Sequence, residues 1–473
     1  MRKKKPDKIG LLIVIPAALL IMAGCAERIG DSGYQAGRDD TEEDNSGNDV
    51  QGYTAYEGEI FIGDDGGGDF TENSEGTAGS LYRSIASGKG LGEDAIVGAA
   101  INTNTIRDER LMELVHDNFN AVTLENELKM DCMLGYSNAV CPEGSLHDEE
   151  LNGVPIQVPT LDHTRADEML DMILEWNRAH PDRQLRVRGH VLVWHSQAPE
   201  WFFHEGYDAS KDYVTKEVMD RRLEWYIKSM LEYYTGKDSK YNGMFYGWDV
   251  VNEAVSDATG SYRTDTESGN DSLSDPVHSI KSSWWHVYKS SEFILNAYKY
   301  ANKYASPEVE LYYNDYNECD DKKMGGIICL IQDVRNAPGT RIDGFGMQGH
   351  YSIGKPEPGQ FDKAVRKYGE AVDKVMLTEL DIKAIADTGD SEEELKGAYY
   401  EQADYLSELY KVLKQADADG INVRGITTWG VIDRDSWLQT YNPSGGSADG
   451  QIRQYPLLFD DDYEPKPACE AFL

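Results

Sequence analysis

From about Leu81 onward, apolar residues gather into short unbroken runs, and between the runs the apolar spacing changes to three and four. The runs Ala95–Ile101, Asn120–Glu125, Leu185–Trp194, Phe245–Asn252, Val309–Asn314, Ile342–His350, Val375–Asp381 and Gly425–Gly430 have strand length and little polar alternation. That pattern predicts strands buried on both faces, as in a parallel sheet. Helical period fills the intervals, as in Thr164–Ala179 with Met169, Leu170, Ile173, Leu174 and Trp176, in Met219–Tyr234 and in Glu392–Gln415. Eight strand-and-helix units in about 390 residues predict an α/β fold, a (β/α)8 TIM barrel with inserted βα loops. A doubly wound open sheet is the alternative, but no Gly-x-Gly-x-x-Gly turn follows the first run.

The chain before Leu81 has a different character. Arg2, Lys3, Lys4, Lys5 and Lys8 precede an apolar run from Ile9 to Ala23, too short for a membrane span and suited to a signal-peptide core. Ile21-Met22-Ala23-Gly24-Cys25 resembles a bacterial lipobox, which predicts a signal peptide over residues 1–24 and a lipidated Cys25. An ordinary signal peptide with an incidental Cys is the other reading. Residues 25–80 are rich in Asp, Glu, Gly, Ser and Asn without apolar period, and read as an acidic, disordered tether. The folded domain is therefore expected over residues 81–473, exported to the cell surface as a lipoprotein or secreted, with membrane contact only through the N-terminal lipid.

The polar residues inside the apolar pattern carry the chemistry. Nearly every predicted strand ends in groups that a core excludes: Glu125-Asn126, His190, Trp194-His195, Asn252-Glu253, Asn314-Asp315, Gln348, His350, Glu379, Asp381 and Trp429. In a (β/α)8 barrel the C-terminal strand ends share one rim, where active sites form. Glu253 closes Trp248-Asp249-Val250-Val251-Asn252-Glu253, and Glu379 closes Val375-Met376-Leu377-Thr378-Glu379. Buried carboxylates are costly without a task or a partner. Two across a barrel mouth suit glycosidic cleavage, one protonated to release the leaving oxygen and one ionised to attack the anomeric carbon. A separation of about 5–5.5 Å between them retains the anomeric configuration, and a wider one inverts it.

Taken in order, seven motifs resemble glycoside hydrolase family 10, the endo-β-1,4-xylanases, from about Leu91 to Leu473. They are Thr123-Leu124-Glu125-Asn126-Glu127-Leu128-Lys129, Arg188-Gly189-His190-Val191-Leu192-Val193-Trp194-His195-Ser196-Gln197, Trp248 to Glu253, Asn314-Asp315-Tyr316-Asn317, Gln348-Gly349-His350, Thr378-Glu379-Leu380-Asp381 and Thr428-Trp429-Gly430. The resemblance implies a retaining hydrolase with Glu253 as acid/base and Glu379 as nucleophile. It implies that Asn252 contacts the sugar 2-hydroxyl and that His350 and Asp381 keep Glu379 ionised. Glu125, Asn126, Lys129, His190, Trp194 and Gln197 would hold the non-reducing-side sugars, and Gln348, Trp429 and Trp437 the sugar at the cleavage point. The implied partners are xylan and xylo-oligosaccharides, met by a monomer without metal or organic cofactor. Read singly, Trp194, Trp429, Trp437, His190 and His195 also fit a core and Lys129 a surface. Their common place at strand ends favours a site for all but His195, which fits either description.

The rest of the composition narrows this little further. A net charge of −38 argues against nucleic acid, which demands clustered Lys and Arg. None of the cysteines lies in a Cys-x-x-Cys pair or near a His at zinc spacing, so no structural zinc is expected. Cys132 with Cys141 and Cys319 with Cys329 could close short disulfide loops or be buried thiols. The stretches Asp131–Pro159, Ser256–Lys281 and Leu438–Gln454 look inserted on the catalytic rim, where they would shape the distal sugar sites. Hydrolysis of β-1,4-glucan is the rival within the class. A lipoprotein that captures xylan fragments without cutting them is the rival outside it, which two carboxylates facing a neutral sugar disfavour.

Overall fold

A computed structural model describes residues 80–137, 139–267, 281–386, 392–439 and 453–472. The expected signal segment, Cys25, most of the acidic tether and parts of the three expected insertions lie outside them. Eight parallel strands form the frame: β1 (Ile96–Ile101), β2 (Ala121–Leu124), β3 (Arg186–Gly189), β4 (Phe245–Asn252), β5 (Glu310–Asp315), β6 (Gly344–Met347), β7 (Lys374–Lys383) and β8 (Val423–Thr428). Each pairs with its sequence neighbour, and β8 returns to β1 with Ile96 opposite Gly425, so the sheet closes into a barrel. The eight-stranded parallel barrel with interleaved helices is the fold the apolar runs predict.

Every residue of β1, β2 and β4 is buried, because helices cover the outside while side chains fill the inside. The helix Thr164–Ala179 buries Ala166, Met169, Leu170, Ile173 and Asn177, one stripe at spacings of three and four. The helix Lys216–Thr235 begins at Thr215, whose hydroxyl accepts from the Val218 N–H, and Asp320 caps Asp321–Asn336 through the Lys322 and Lys323 N–H groups. Closure depends on Gly425. Its φ is +148°, and a Cβ there would lie 1.9 Å from the Ile96 carbonyl oxygen.

The expected insertion after β2 forms a hairpin of Leu146–Leu151 and Val154–Pro159, moored to the helix Lys216–Thr235. Trp225 Nε1 donates to Glu149, and Arg221 donates to the Pro155 carbonyl. Cys132 and Cys141 are separate buried thiols and Cys319 is a thiol too, so neither short disulfide loop forms. Among the described residues no helix is long and apolar enough to cross a membrane.

Candidate active site

Because all eight strands run one way, their C-terminal ends meet at a single rim, and the predicted polar residues meet with them. Glu253 follows the last residue of β4, and Glu379 lies within β7. Both are buried, at 9% and 4% exposure, so each carboxylate depends on partners rather than on water. Three amide and indole groups supply them for Glu253. Trp194 Nε1 donates to its Oε2 (2.8 Å), and Gln348 Nε2 (2.9 Å) and Asn252 Nδ2 (3.0 Å) donate to its Oε1. Its main chain is left-handed, with φ 54°, a conformation that costs a non-glycine residue about 1–2 kcal/mol. The N–H of Glu253 donates to the Asn314 carbonyl (2.9 Å) and so ties that turn to β5.

Glu379 is surrounded differently. His350 Nε2 lies 3.1 Å from its Oε2, and Asn314 Nδ2 donates to its Oε1 (2.7 Å). His350 Nδ1 lies 2.9 Å from Asp381 Oδ2, which also accepts from Trp437 Nε1 (2.8 Å). With a carboxylate against each ring nitrogen, both nitrogens must carry protons. Burial pulls the imidazole down, but the charge and hydrogen bond of Asp381, with those of Glu379, push it up to about 10. For Glu379 burial raises the proton affinity, yet the His350 hydrogen bond and the charges of His190, His350 and Arg188 outweigh it and hold the carboxyl at about 2. It is ionised throughout the neutral range.

Asn314 joins the two carboxylates. The same Nδ2 that donates to Glu379 also donates to Asn252 Oδ1 (2.9 Å), and Asn252 continues to Glu253. Its Oδ1 accepts from Thr378 Oγ1 (2.6 Å), which fixes the amide orientation. Gly346 makes the approach possible: a Cβ at that position would lie 2.4 Å from Asn314 Oδ1 and 2.7 Å from Thr378 Cγ2. Beneath them, fully buried Arg188 on β3 pairs with Asp249 on β4 (3.3 Å) and donates to the Thr378 carbonyl (2.8 Å), while His190 Nδ1 meets Asp249 (2.8 Å). This puts a fixed cation behind Glu379.

The other predicted residues form a second cluster. Lys129 is buried and donates to Asn126 Oδ1 (3.0 Å) and Gln197 Oε1 (2.9 Å), with its ammonium 5.1 Å from the centre of the Trp194 ring. Trp194 thereby links this cluster to Glu253. Glu125 accepts from Asn102 (2.9 Å), beyond the end of β1. Trp429 sits edge-on to His190 (5.4 Å) and to His350 (6.4 Å), and Trp437 edge-on to His350 (5.2 Å). His195 touches neither carboxylate among the described contacts. It lies edge-on to Trp194 (5.9 Å), and burial, then Arg263 and Lys323, push it well below the usual histidine range.

The sequence marks Asn314 as a strand-end polar group within one of the seven motifs, but assigns no role to it, Arg188 or Arg263. A charged residue inside an apolar run, as in Val187-Arg188-Gly189 and Trp248-Asp249-Val250, was the available signal for the buried pair. Among the described residues no group of His, Cys, Asp and Glu is arranged to hold a metal ion.

The likeness to known proteins covers the barrel. Residues 88–473 match the model of glycosyl hydrolase family 10. The chain is 34% identical to endo-1,4-beta-xylanase Y of Acetivibrio thermocellus over 388 residues, 79% of this chain and 31% of that protein. It is 28% identical to an endo-1,4-beta-xylanase of Geobacillus stearothermophilus over 379 residues, 79% of this chain and 94% of that one. The chain thus spans about a third of the first relative and nearly all of the second. The solved CBM22-1–GH10 modules of Clostridium thermocellum endo-1,4-beta-D-xylanase 10B, complexed with xylohexaose, superpose with a TM-score of 0.62 at 30% identity, covering 80% of this chain and 65% of that one. With a closed barrel, two buried glutamates at its rim and a family match over most of its length, the chain belongs to glycosyl hydrolase family 10 and is a glycoside hydrolase.

Proposed function

We propose that the chain is an endo-β-1,4-xylanase that cleaves internal xylosidic bonds of xylan with retention of configuration. The observation that carries this reading is the unequal environment of the two glutamates. Glu379 is held ionised at about 2 by His350, Asn314 and the nearby cations, as a nucleophile must be. Glu253 rests on neutral N–H donors from Trp194, Gln348 and Asn252, which suits a group that gives up and regains a proton.

In the first step Glu253 protonates the glycosidic oxygen while Glu379 attacks the anomeric carbon, giving a xylosyl ester and the shortened chain. In the second, Glu253 takes a proton from water, the hydroxide attacks the same carbon, and Glu379 departs as the carboxylate. Asn252, released from Glu253 when sugar enters, reaches the 2-hydroxyl at the reaction centre. Glu125, Asn126, Lys129, His190, Trp194 and Gln197 hold the preceding sugars through their hydroxyls. Gln348, Trp429 and Trp437 enclose the sugar being cleaved and crowd out a hydroxymethyl arm, which favours xylose over glucose. The relatives' names, all endo-1,4-beta-xylanases, support the same substrate. The N-terminal pattern supports export and tethering to the cell surface through a lipid at Cys25.

Intact-mass analysis after incubation with a 2-deoxy-2-fluoro xylobioside carrying a good leaving group tests the mechanism. The expected result is one stable adduct, lost in Glu379→Gln. No adduct, or one that survives the substitution, overturns the nucleophile assignment. Reducing-sugar release from xylan in excess of that from carboxymethyl cellulose tests the substrate, and the reverse order favours a β-1,4-glucanase.

A further inference from the structure

The left-handed turn at Glu253 is held from both sides, and one of the holders lies outside the barrel strands. The Glu253 N–H is bound by the Asn314 carbonyl (2.9 Å), and the Glu253 carbonyl accepts from Arg263 Nε (2.8 Å). The next N–H, of Ala254, donates to Tyr313 Oη (2.9 Å), and Arg263 returns its own N–H to the Ala254 carbonyl (2.7 Å). Arg263 is buried at 5% exposure, and its guanidinium also meets the Val255 carbonyl (3.4 Å), Tyr316 Oη (3.4 Å) and Asp257 (3.6 Å). A buried guanidinium is costly unless its place is fully partnered, and here one partner is the backbone of a catalytic carboxylate.

The charged groups around Glu253 come from four elements. Arg263 stands on the loop after β4, Asp315 and Tyr316 at the end of β5, Lys323 on the helix Asp321–Asn336, and Glu379 on β7 beyond Asn252 and Asn314. Lys323 is engaged by Asp315 (2.9 Å) and Asp257 (2.7 Å). Among the described residues, Arg263 is the cation bonded to the Glu253 residue itself. Burial works against its charge, but Tyr316, Glu253 and Asp315 keep it protonated.

We propose that Arg263 is a positioning residue for the acid/base: it pins the main chain of Glu253 so that the carboxyl meets the glycosidic oxygen. This rests on the reading of Glu253 as acid/base.

The test compares Arg263→Met, Arg263→Lys, Glu253→Ala and the parent on phenyl and 2,4-dinitrophenyl xylobiosides. The dinitrophenolate leaves without protonation, so glycosylation of Glu379 by that substrate bypasses the acid. Arg263→Met is expected to lose about 10–100-fold in kcat/KM on the phenyl substrate and far less on the other, since misplacing a proton donor forfeits part of its contribution. Arg263→Lys is expected to retain much of the phenyl-selective loss, because it preserves charge but not the Nε donor. Equal losses on both substrates would overturn the proposal. Should Arg263→Met fail to fold, Arg263→Lys decides through the leaving-group split alone. Equal loss on both substrates in Glu253→Ala overturns the acid/base reading itself, whatever the Arg263 variants do.

Discussion

Replacing His350 with alanine removes the group that most directly keeps Glu379 ionised. The change deletes the contact at 3.1 Å to Glu379 Oε2 and leaves Asp381 Oδ2 with the Trp437 indole N–H (2.8 Å). A hydrogen bond to a charged group contributes about 1.5–3 kcal/mol. At about 1.4 kcal/mol per pKa unit, Glu379 should move up by about one to two units. It starts at about 2, so in the variant it should titrate between roughly 3 and 4, with Asn314 and Arg188 still holding it below a buried, unaided carboxyl. The assay is kcat/KM for an aryl xylobioside between about pH 3 and 8, where an acid limb in kcat/KM reports the free enzyme. The parent's Glu379 limb lies beyond the acid end of that series, and the variant's should enter it. Stability should change in step. Glu379 is lowered from 4.5 to about 2, so its contribution is present above pH 4.5 and lost as pH falls through 2. His350 is raised from 6.5 to about 10, so its contribution is present below pH 6.5 and lost as pH rises through 10. The pair therefore stabilises most between pH 4.5 and 6.5, and the variant should lose the most stability there. An acid limb that does not move, in a variant with native near-UV circular dichroism, refutes the reasoning.

Glu253→Ala should lose about 10²-fold or more on xylan and keep much of its adduct formation with activated aryl substrates, measured by burst kinetics. Gly346→Ala forces a methyl against Asn314 Oδ1, which should cost about 1–3 kcal/mol in denaturant unfolding. By displacing the amide between the two glutamates, it should also lower kcat/KM at least about tenfold. A variant that loses stability but not activity would show that Asn314 is not needed between them. Gly425→Ala meets the Ile96 carbonyl at 1.9 Å in a left-handed backbone and should destabilise by about 3 kcal/mol or more, read as a lower denaturant midpoint with catalytic constants unchanged in the folded fraction.

Local pattern determined a good deal of this molecule. The helix Thr164–Ala179 has the bounds its apolar stripe predicts, and each of the eight predicted strand runs overlaps a barrel strand. Continuous burial of both strand faces is written into unbroken apolar runs, and a polar residue at a run's end marks the rim because nothing else tolerates it there. The expected run Leu185–Trp194 is two pieces, Arg186–Gly189 and Val193–Trp194, because the chain leaves the ladder to turn His190 onto Asp249. Likewise Ile342–His350 divides into Gly344–Met347 and His350–Ser352 around Gln348, whose amide turns to Glu253.

What the tertiary structure decided is which distant groups share a charge. Asn314 and Glu379 stand 65 residues apart, and Arg188 and the Thr378 carbonyl 190 apart, yet each pair is in hydrogen-bond contact. A polar residue in a run announces that it needs a partner, but periodicity holds no information on which strand will supply it. That choice follows from barrel closure, from the register that sets Asn314 beside Asn252 and Gly346, and from the missing side chain at Gly346 that lets an amide cross between the two glutamates. The proton affinities of Glu379 and His350 depend on those crossings. Burial alone drives each toward its neutral form, and only the assembled neighbours reverse the sign.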